Sequence, residues 1–131
     1  MSYCIDSNIS VDIFRGDKKL SNRLSSLLGT GKRVVVTSVT LCELFKGAFL
    51  YHSSEGKALE ILRFIDNFEV INMNIESCEE FGRMYKKMKV SGKMIPEFDL
   101  MIASIVKANN LTLITRDKKH FMGTGINLEI W

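Results

Sequence analysis

Short apolar runs alternate along the chain with longer segments of helical periodicity. The apolar runs predict strands, because near-continuous apolar stretches are typical of parallel strands covered on both faces. The predicted strands are residues 3–6, 34–37, 70–73, 111–115 and, at an edge, 127–131. The predicted helices are about residues 18–28, 39–51, 56–67, 76–89 and 97–109. This alternation indicates an α/β fold, a three-layer α/β/α sandwich with a central, mainly parallel sheet of four to five strands.

Apolar stripes on the predicted helices indicate which faces pack on the sheet. The stripe of helix 56–67 consists of Ala58, Ile61, Leu62 and Ile65, and that of helix 76–89 of Cys78, Phe81, Tyr85 and Met88. Helix 39–51 is apolar nearly all round, which predicts a buried helix. Its second apolar face is also a candidate surface for a dimer or for a partner protein.

The composition is that of one ordinary globular domain over residues 1–131, with 46% hydrophobic and 25% charged residues. Cys4, Cys42 and Cys78 fit neither a disulfide framework nor a zinc pattern, and we expect all three to be buried in a reducing compartment. No secretion signal and no apolar run of spanning length are present. The expected location is cytoplasmic, with no membrane partner.

Basic residues cluster in two places, although the formal net charge is only +3. Five lie between positions 83 and 93, and Arg116, Lys118 and Lys119 surround Asp117. Such clusters serve either as solvated surfaces or as phosphate-binding sites. The sequence leaves both interpretations open.

Asp99 is the carboxylate that most clearly requires a partner. It is the single charge in residues 98–106, an otherwise apolar run. A buried carboxylate is costly unless a cation compensates it. Pro96 predicts the start of the helix, so the helix dipole at the first turn is the alternative explanation for an acid at this position.

Three further acids stand at comparable positions. Asp6 and Asp117 each follow a predicted strand, where capping and turn roles are common. Glu43 lies in the apolar helix 39–51, where a capping box with Thr40 is the alternative to a functional role. Four acids gathered at one edge of the sheet would repel each other strongly without a cation. An all-oxygen ligand set selects Mg²⁺ or Mn²⁺, which bind phosphates and activate water.

Four motifs resemble those of the PIN-domain family, in particular its VapC-type ribonuclease toxins of type II toxin–antitoxin systems. They are YCIDSNI at 3–9, TSVTLCEL at 37–44 followed by Gly47, IPEFDLMIA at 95–103 and LITRDKKHF at 113–121. The resemblance covers almost the whole chain, and all four motifs occur in the family's order. Arg116 and His120 lie in a variable part of the last motif, so the resemblance gives them no catalytic role.

The resemblance implies a metal-dependent endoribonuclease with Asp6, Glu43, Asp99 and Asp117 as catalytic and metal-binding residues. Ser7, Asn8 and Thr115 would support them, and Arg116, Lys118 and Lys119 are candidate RNA contacts. It further implies a homodimer and a cognate antitoxin. The expected reaction is attack of metal-activated water on the phosphodiester.

The alternative functions differ in what they require of the sequence. A receiver-like domain needs an acidic pair after the first strand, and a haloacid-dehalogenase-like phosphatase needs Asp-x-Asp, whereas this chain has Asp6-Ser7-Asn8. A non-catalytic PIN-type module that binds RNA or protein remains open as the alternative.

Overall fold

A five-stranded parallel sheet forms the centre of the computed structural model, which describes residues 1–52 and 55–131. The strands are β1 (Tyr3–Ile5), β2 (Val34–Thr37), β3 (Glu69–Ile71), β4 (Thr112–Thr115) and β5 (Asn127–Ile130). Their order is β3-β2-β1-β4-β5, and each of these neighbouring pairs is parallel. The predicted parallel sheet is confirmed, including an edge strand at the end of the chain.

Helices connect the strands. They are α1 (Ser7–Phe14), α2 (Lys18–Gly29), α3 (Ser38–Gly47), a π-helical turn (Ala48–His52), α4 (Glu55–Ile65), α5 (Ile75–Ser91), α6 (Glu97–Ala108) and α7 (Lys118–Phe121). The hydrophobic pattern did not predict α1 and α7, which are short and follow strand ends directly. It merged α3 with the π-helical turn into one helix.

Both faces of the sheet are covered, because alternate strand residues enter separate cores. Cys4, Val35 and Leu113 pack with residues of α5 and α6. Their strand neighbours, among them Ile5 and Ile114, pack with residues of α1 and α2 on the opposite face. This arrangement confirms the three-layer architecture and explains why the strands are almost continuously apolar.

Several predictions about burial were wrong. Cys4 is buried, but Cys42 and Cys78 are exposed. On α5 the predicted stripe was wrong at Cys78 only: Met88 is buried and Phe81 and Tyr85 pack partly buried against the core, and Ser77 and Met84 are buried as well. Leu62 on α4 is 50% exposed.

The predicted burial of helix 39–51 on all sides was also wrong. Leu44 and Ala48 are buried, whereas Phe49 and Leu50 are about 60% exposed (59% and 61%). This segment packs through one face only, so its second apolar face lies at the surface. In the described residues no helix is both long and apolar enough to cross a membrane.

The strand order reverses between β1 and β4. From β1 the chain proceeds to β2 and β3 on one side, whereas β4 and β5 lie on the other. The two central strands are in register, Ile5 beside Ile114, and the Asp6 amide donates to the Ile114 carbonyl at 2.9 Å. In open parallel sheets a crevice forms outside the carboxyl ends of the strands at such a reversal, and ligands bind there.

Candidate active site

Asp6 lies in this crevice, directly after β1. Its residue is only 3% exposed. One carboxylate oxygen accepts a hydrogen bond from the Ser7 amide at 2.8 Å, and the other from the Thr115 hydroxyl at 2.7 Å. Burial raises the pKa of Asp6 to about 6; the two hydrogen bonds oppose this rise, while Asp99 and Glu43 add to it. Asp6 therefore caps α1, as the alternative explanation held, and also presents a buried carboxylate to the crevice.

Glu43 approaches Asp6 from α3. Thr37, the last residue of β2, caps this helix by accepting from the Thr40 amide at 3.1 Å. The alternative explanation of Glu43, a capping box with Thr40, is therefore wrong. The Glu43 carboxylate instead accepts from the Ser7 hydroxyl at 2.5 Å. Burial raises the pKa of Glu43, and Asp99 adds to the rise.

Asp99 occupies the first turn of α6, which begins after Pro96 as predicted. Its side chain is 18% exposed, so it is less deeply buried than the surrounding apolar run suggested. Asp117 follows β4 and accepts from the His120 amide at 3.1 Å, which caps α7. These two acids reach the crevice from helix and loop positions rather than from within the sheet.

His120 joins Asp99 and Asp117. Its Nδ1 lies 2.9 Å from an Asp99 oxygen and 3.0 Å from an Asp117 oxygen. Burial raises the pKa of Asp99, the contact with His120 opposes this rise, and Asp117 reinforces it. No role was predicted for His120 from the sequence. Its position three residues after Asp117, across one helical turn, was the available signal.

The predicted supporting residues connect the two central strands. The side-chain amide nitrogen of Asn8 donates to the Thr115 hydroxyl oxygen at 3.2 Å, and its side-chain oxygen accepts from the backbone amide of Arg116 at 3.4 Å. The Asp117 amide also donates to the Thr115 hydroxyl, at 3.0 Å. Thr115 is therefore at the centre of a buried network that links Asp6 with the turn carrying Asp117.

The three candidate RNA contacts differ in their surroundings. The Arg116 guanidinium pairs with Asp12 at 2.7 Å and with Asp17 at 3.0 Å. Lys118 and Lys119 lie on α7 and form no ion pair with the described residues. The charge of Arg116 is thus paired with acids of α1 and of the turn that follows it. The charges of the two lysines have no acidic partner among the described residues.

All four predicted acids line one cavity of about 940 Å³. Three basic side chains, Arg15, Lys46 and Lys57, also line it. Within residues 1–52 and 55–131, no three His, Cys, Asp or Glu side chains already converge as a metal-binding group. Hydroxyl, amide and imidazole donors hold the acids instead.

The donor set of this cavity fits a hard divalent cation. Four carboxylates supply oxygen ligands, and the pKa of three of them is raised, partly by one another. A divalent cation would remove this mutual repulsion and favour the ionised forms. Oxygen ligands of this kind select Mg²⁺ or Mn²⁺ over zinc.

Comparison with known proteins identifies the family of this chain. Residues 3–122 match the profile of the PIN domain. Ribonuclease VapC1 of Haemophilus influenzae strain R2866 is 31% identical over 122 residues, which is 92% of this chain and 90% of the relative. The tRNA(fMet)-specific endonuclease VapC of Shigella flexneri is 26% identical and covers 100% of this chain and 98% of its own.

A solved structure shows the same architecture. VapBC2 from Rickettsia felis, determined bound to a DNA fragment from its promoter, superimposes with a TM-score of 0.92 at 28% identity. The match covers 100% of this chain and 99% of the other. The whole chain, and not only the crevice, therefore has the fold of these proteins.

Proposed function

The chain belongs to the PIN domain family, and on this basis we propose that it is a metal-dependent endoribonuclease and the toxin of a type II toxin–antitoxin pair. The observation that carries the proposal is the meeting of Asp6, Glu43, Asp99 and Asp117 in one cavity at the strand-order reversal. The names of the relatives, ribonuclease VapC1 and tRNA(fMet)-specific endonuclease VapC, support the same activity. Residues 1–131 act as a single nuclease domain, in the cytoplasm.

The four carboxylates are the proposed ligands of Mg²⁺ or Mn²⁺. The metal supplies charge neutralisation at the phosphate and lowers the pKa of water. The Ser7 hydroxyl orients Glu43, and the Thr115 hydroxyl orients Asp6. His120 holds Asp99 and Asp117 near each other before RNA binds. Water attacks phosphorus and the 3′ oxygen leaves with a proton, so no 2′-hydroxyl nucleophile is needed and the products carry 5′-phosphate and 3′-hydroxyl ends.

The first experiment replaces Asp99 by asparagine and measures RNA cleavage in Mg²⁺. We expect Asp99→Asn to lose cleavage by a factor on the order of a thousand, because a ligand that stabilises the transition state is worth several kcal/mol. Glu97→Gln is the matched control, since Glu97 lies in the same first turn but does not line the cavity. It should cleave like the wild type, and both variants should unfold with wild-type cooperativity.

Three outcomes would contradict the proposal. Cleavage by purified Asp99→Asn at the wild-type rate would show that Asp99 is wrongly assigned to the active site. Products with cyclic phosphate ends would show that the 2′-hydroxyl is the nucleophile. RNA binding in Mg²⁺ without any turnover by the wild type would favour the non-catalytic binding module.

The toxin assignment predicts a partner protein and a second copy of the chain. Exposed apolar residues of the π-helical turn and α4 offer a surface for the antitoxin or for the homodimer: Phe49, Leu50, Tyr51, Leu59 and Leu62. The solved structure that this chain resembles is a VapBC assembly, which supports an antitoxin partner. Induction in a bacterial host should arrest growth, induction of Asp6→Asn should not, and co-expression of the neighbouring antitoxin gene should restore growth.

A further inference from the structure

A second cavity, of about 300 Å³, opens beside the acidic one. We call it the flanking cavity and define it by Met88, Lys93, Ile95, Lys119, His120 and Met122. These residues come from the end of α5, the loop before α6, and α7 with the residue that follows it. His120 also lines the acidic cavity, so the two cavities adjoin at one side chain.

The walls of the flanking cavity combine an apolar surface with positive charge. Met88, Ile95 and Met122 supply the apolar part, and Met122 is 65% exposed. Gly123 contributes to the close fit, because a Cβ at that position would lie 3.2 Å from the Met88 methyl carbon. Lys93 and Lys119 form no ion pair with any described residue. An aromatic anion would complement such a surface, because its ring would cover the apolar part and its charge would lie near the cations.

The position of the cavity restricts what can occupy it. A phosphate placed among the acids of the first cavity is repelled by them, so the neighbouring phosphates of a bound strand require cations close by. Lys93 and Lys119 line the flanking cavity and not the acidic one, and His120 lines both. A strand that passes His120 from the acids would therefore place its next nucleotide in the flanking cavity.

We propose that the flanking cavity holds the base of an unpaired nucleotide adjacent to the cleaved bond, with Lys93 and Lys119 on that nucleotide's phosphates. This inference rests on the proposed ribonuclease function and adds a binding subsite for one nucleotide of the substrate. The size of the cavity lies at the lower end of the range for small-ligand sites. Unpaired bases present apolar faces that proteins hold by stacking, and methionine sulfur packs well on such rings.

The experiment uses an unstructured RNA oligonucleotide that spans a bond cleaved by the wild-type protein in Mg²⁺. Two further oligonucleotides are abasic on the 5′ or on the 3′ side of that bond. Met122→Ser should raise KM for the intact RNA about tenfold with a smaller change in kcat, because the base contact is uniform binding. One of the two abasic RNAs should show the same rise with the wild type and no additional rise with Met122→Ser.

The lysines provide a second, independent measurement. Lys119→Ala should raise KM for intact and abasic RNA alike and lower the slope of log KM against log salt by about one. Ile75→Ser and Lys107→Ala are the matched controls. Ile75 is 75% exposed at the far end of α5, and Lys107 is exposed in the last turn of α6. Both should retain wild-type KM values.

The outcomes separate this inference from the proposed function. Wild-type protein that cleaves no RNA would overturn the proposed function and this subsite with it. Wild-type protein that cleaves while Met122→Ser and Lys119→Ala match their controls would overturn the subsite alone. An abasic penalty of equal size in wild type and Met122→Ser would show that the base lies elsewhere.

Discussion

Asp6 is 3% exposed and both of its oxygens accept hydrogen bonds, whereas the Asp99 and Asp117 side chains are 18% and 36% exposed and share one imidazole. The cavity thus has a closed half, consisting of the buried Asp6, Ser7 and Thr115 with the half-buried Glu43, and an open half, consisting of Asp99, Asp117 and His120. The closed half is built on the ends of the two central strands and on α3. The open half is built on the first turn of α6 and on the four-residue α7.

The two halves differ in the groups that hold their carboxylates. In the closed half, buried hydroxyl and amide groups fix the carboxylate oxygens, and the cost appears as the raised pKa of Asp6. In the open half the His120 ring, 45% exposed, is the contact that joins the two acids. Substitutions in the closed half should therefore change the stability of the metal-free protein more than substitutions in the open half.

The largest expected effect concerns the charge of Asp6. Its pKa is raised from 3.8 to about 6, so between these values the folded protein holds more protons than the unfolded chain. The free energy of unfolding of the metal-free protein should therefore fall as pH rises from about 4 to 6, by about 3 kcal/mol from this group. Urea unfolding in EDTA across this range tests the prediction.

Asp6→Asn isolates the contribution of this single carboxylate. The variant should be more stable than the wild type at pH 7 and lose most of the decline with pH. Asp66→Asn, at an exposed acid beyond α4, should keep the wild-type profile. Identical profiles for Asp6→Asn and the wild type would show that burying Asp6 carries no such cost.

The next effect concerns the hydroxyl of Thr115, which is fully buried. Thr115→Val keeps the volume but leaves Asp6 without one of its two donors, so the pKa of Asp6 should rise further. At pH 7 the loss in stability should be about 2 kcal/mol, the cost of an unsatisfied buried polar group. Thr115→Ser retains the hydroxyl and should leave the pKa of Asp6 unchanged. Carboxyl ¹³C shifts followed against pH distinguish the two variants, and equal shifts would refute a role of this hydroxyl.

The smallest effect is expected for His120 in the open half. His120→Ala should lower the stability of the metal-free protein by about 1 kcal/mol or less, because the lost contacts are partly exposed. Added Mg²⁺ should stabilise this variant at least as much as the wild type, since no imidazole then competes for Asp99 and Asp117. Thermal unfolding with and without Mg²⁺ measures both effects. A loss as large as that of Thr115→Val would remove the distinction between the two halves.

Much of the closed half followed from local sequence patterns. Asp6 follows an apolar run of strand character, and the parallel strand that ends at Thr115 was predicted as its counterpart. Because parallel strands end at the same edge, the meeting of Asp6 with the Thr115–Asp117 turn was predictable. Asp99 was conspicuous as a lone charge beside Pro96, which fixed the start of its helix.

The open half and the flanking cavity were less predictable. His120 contacts Asp99 across 21 positions of sequence, and no periodicity reports such a contact. The stripe of α5 was misjudged at one position, because Ser77 is buried and Cys78 is exposed. The apolar pattern around Glu43 suggested full burial, but α3 and the π-helical turn pack through one face only.

The sequence by itself determined the parallel sheet, the starts of α3 and α6 to within a residue, and the identity of four acids at the carboxyl edge. These features depend on neighbouring residues, on strand and helix periodicity and on proline. Only the tertiary structure decided which acid is buried deeply enough to shift its pKa to about 6, and which two share an imidazole. Burial and hydrogen bonding depend on residues far apart in sequence: the donor to Asp6, Thr115, is 109 positions away.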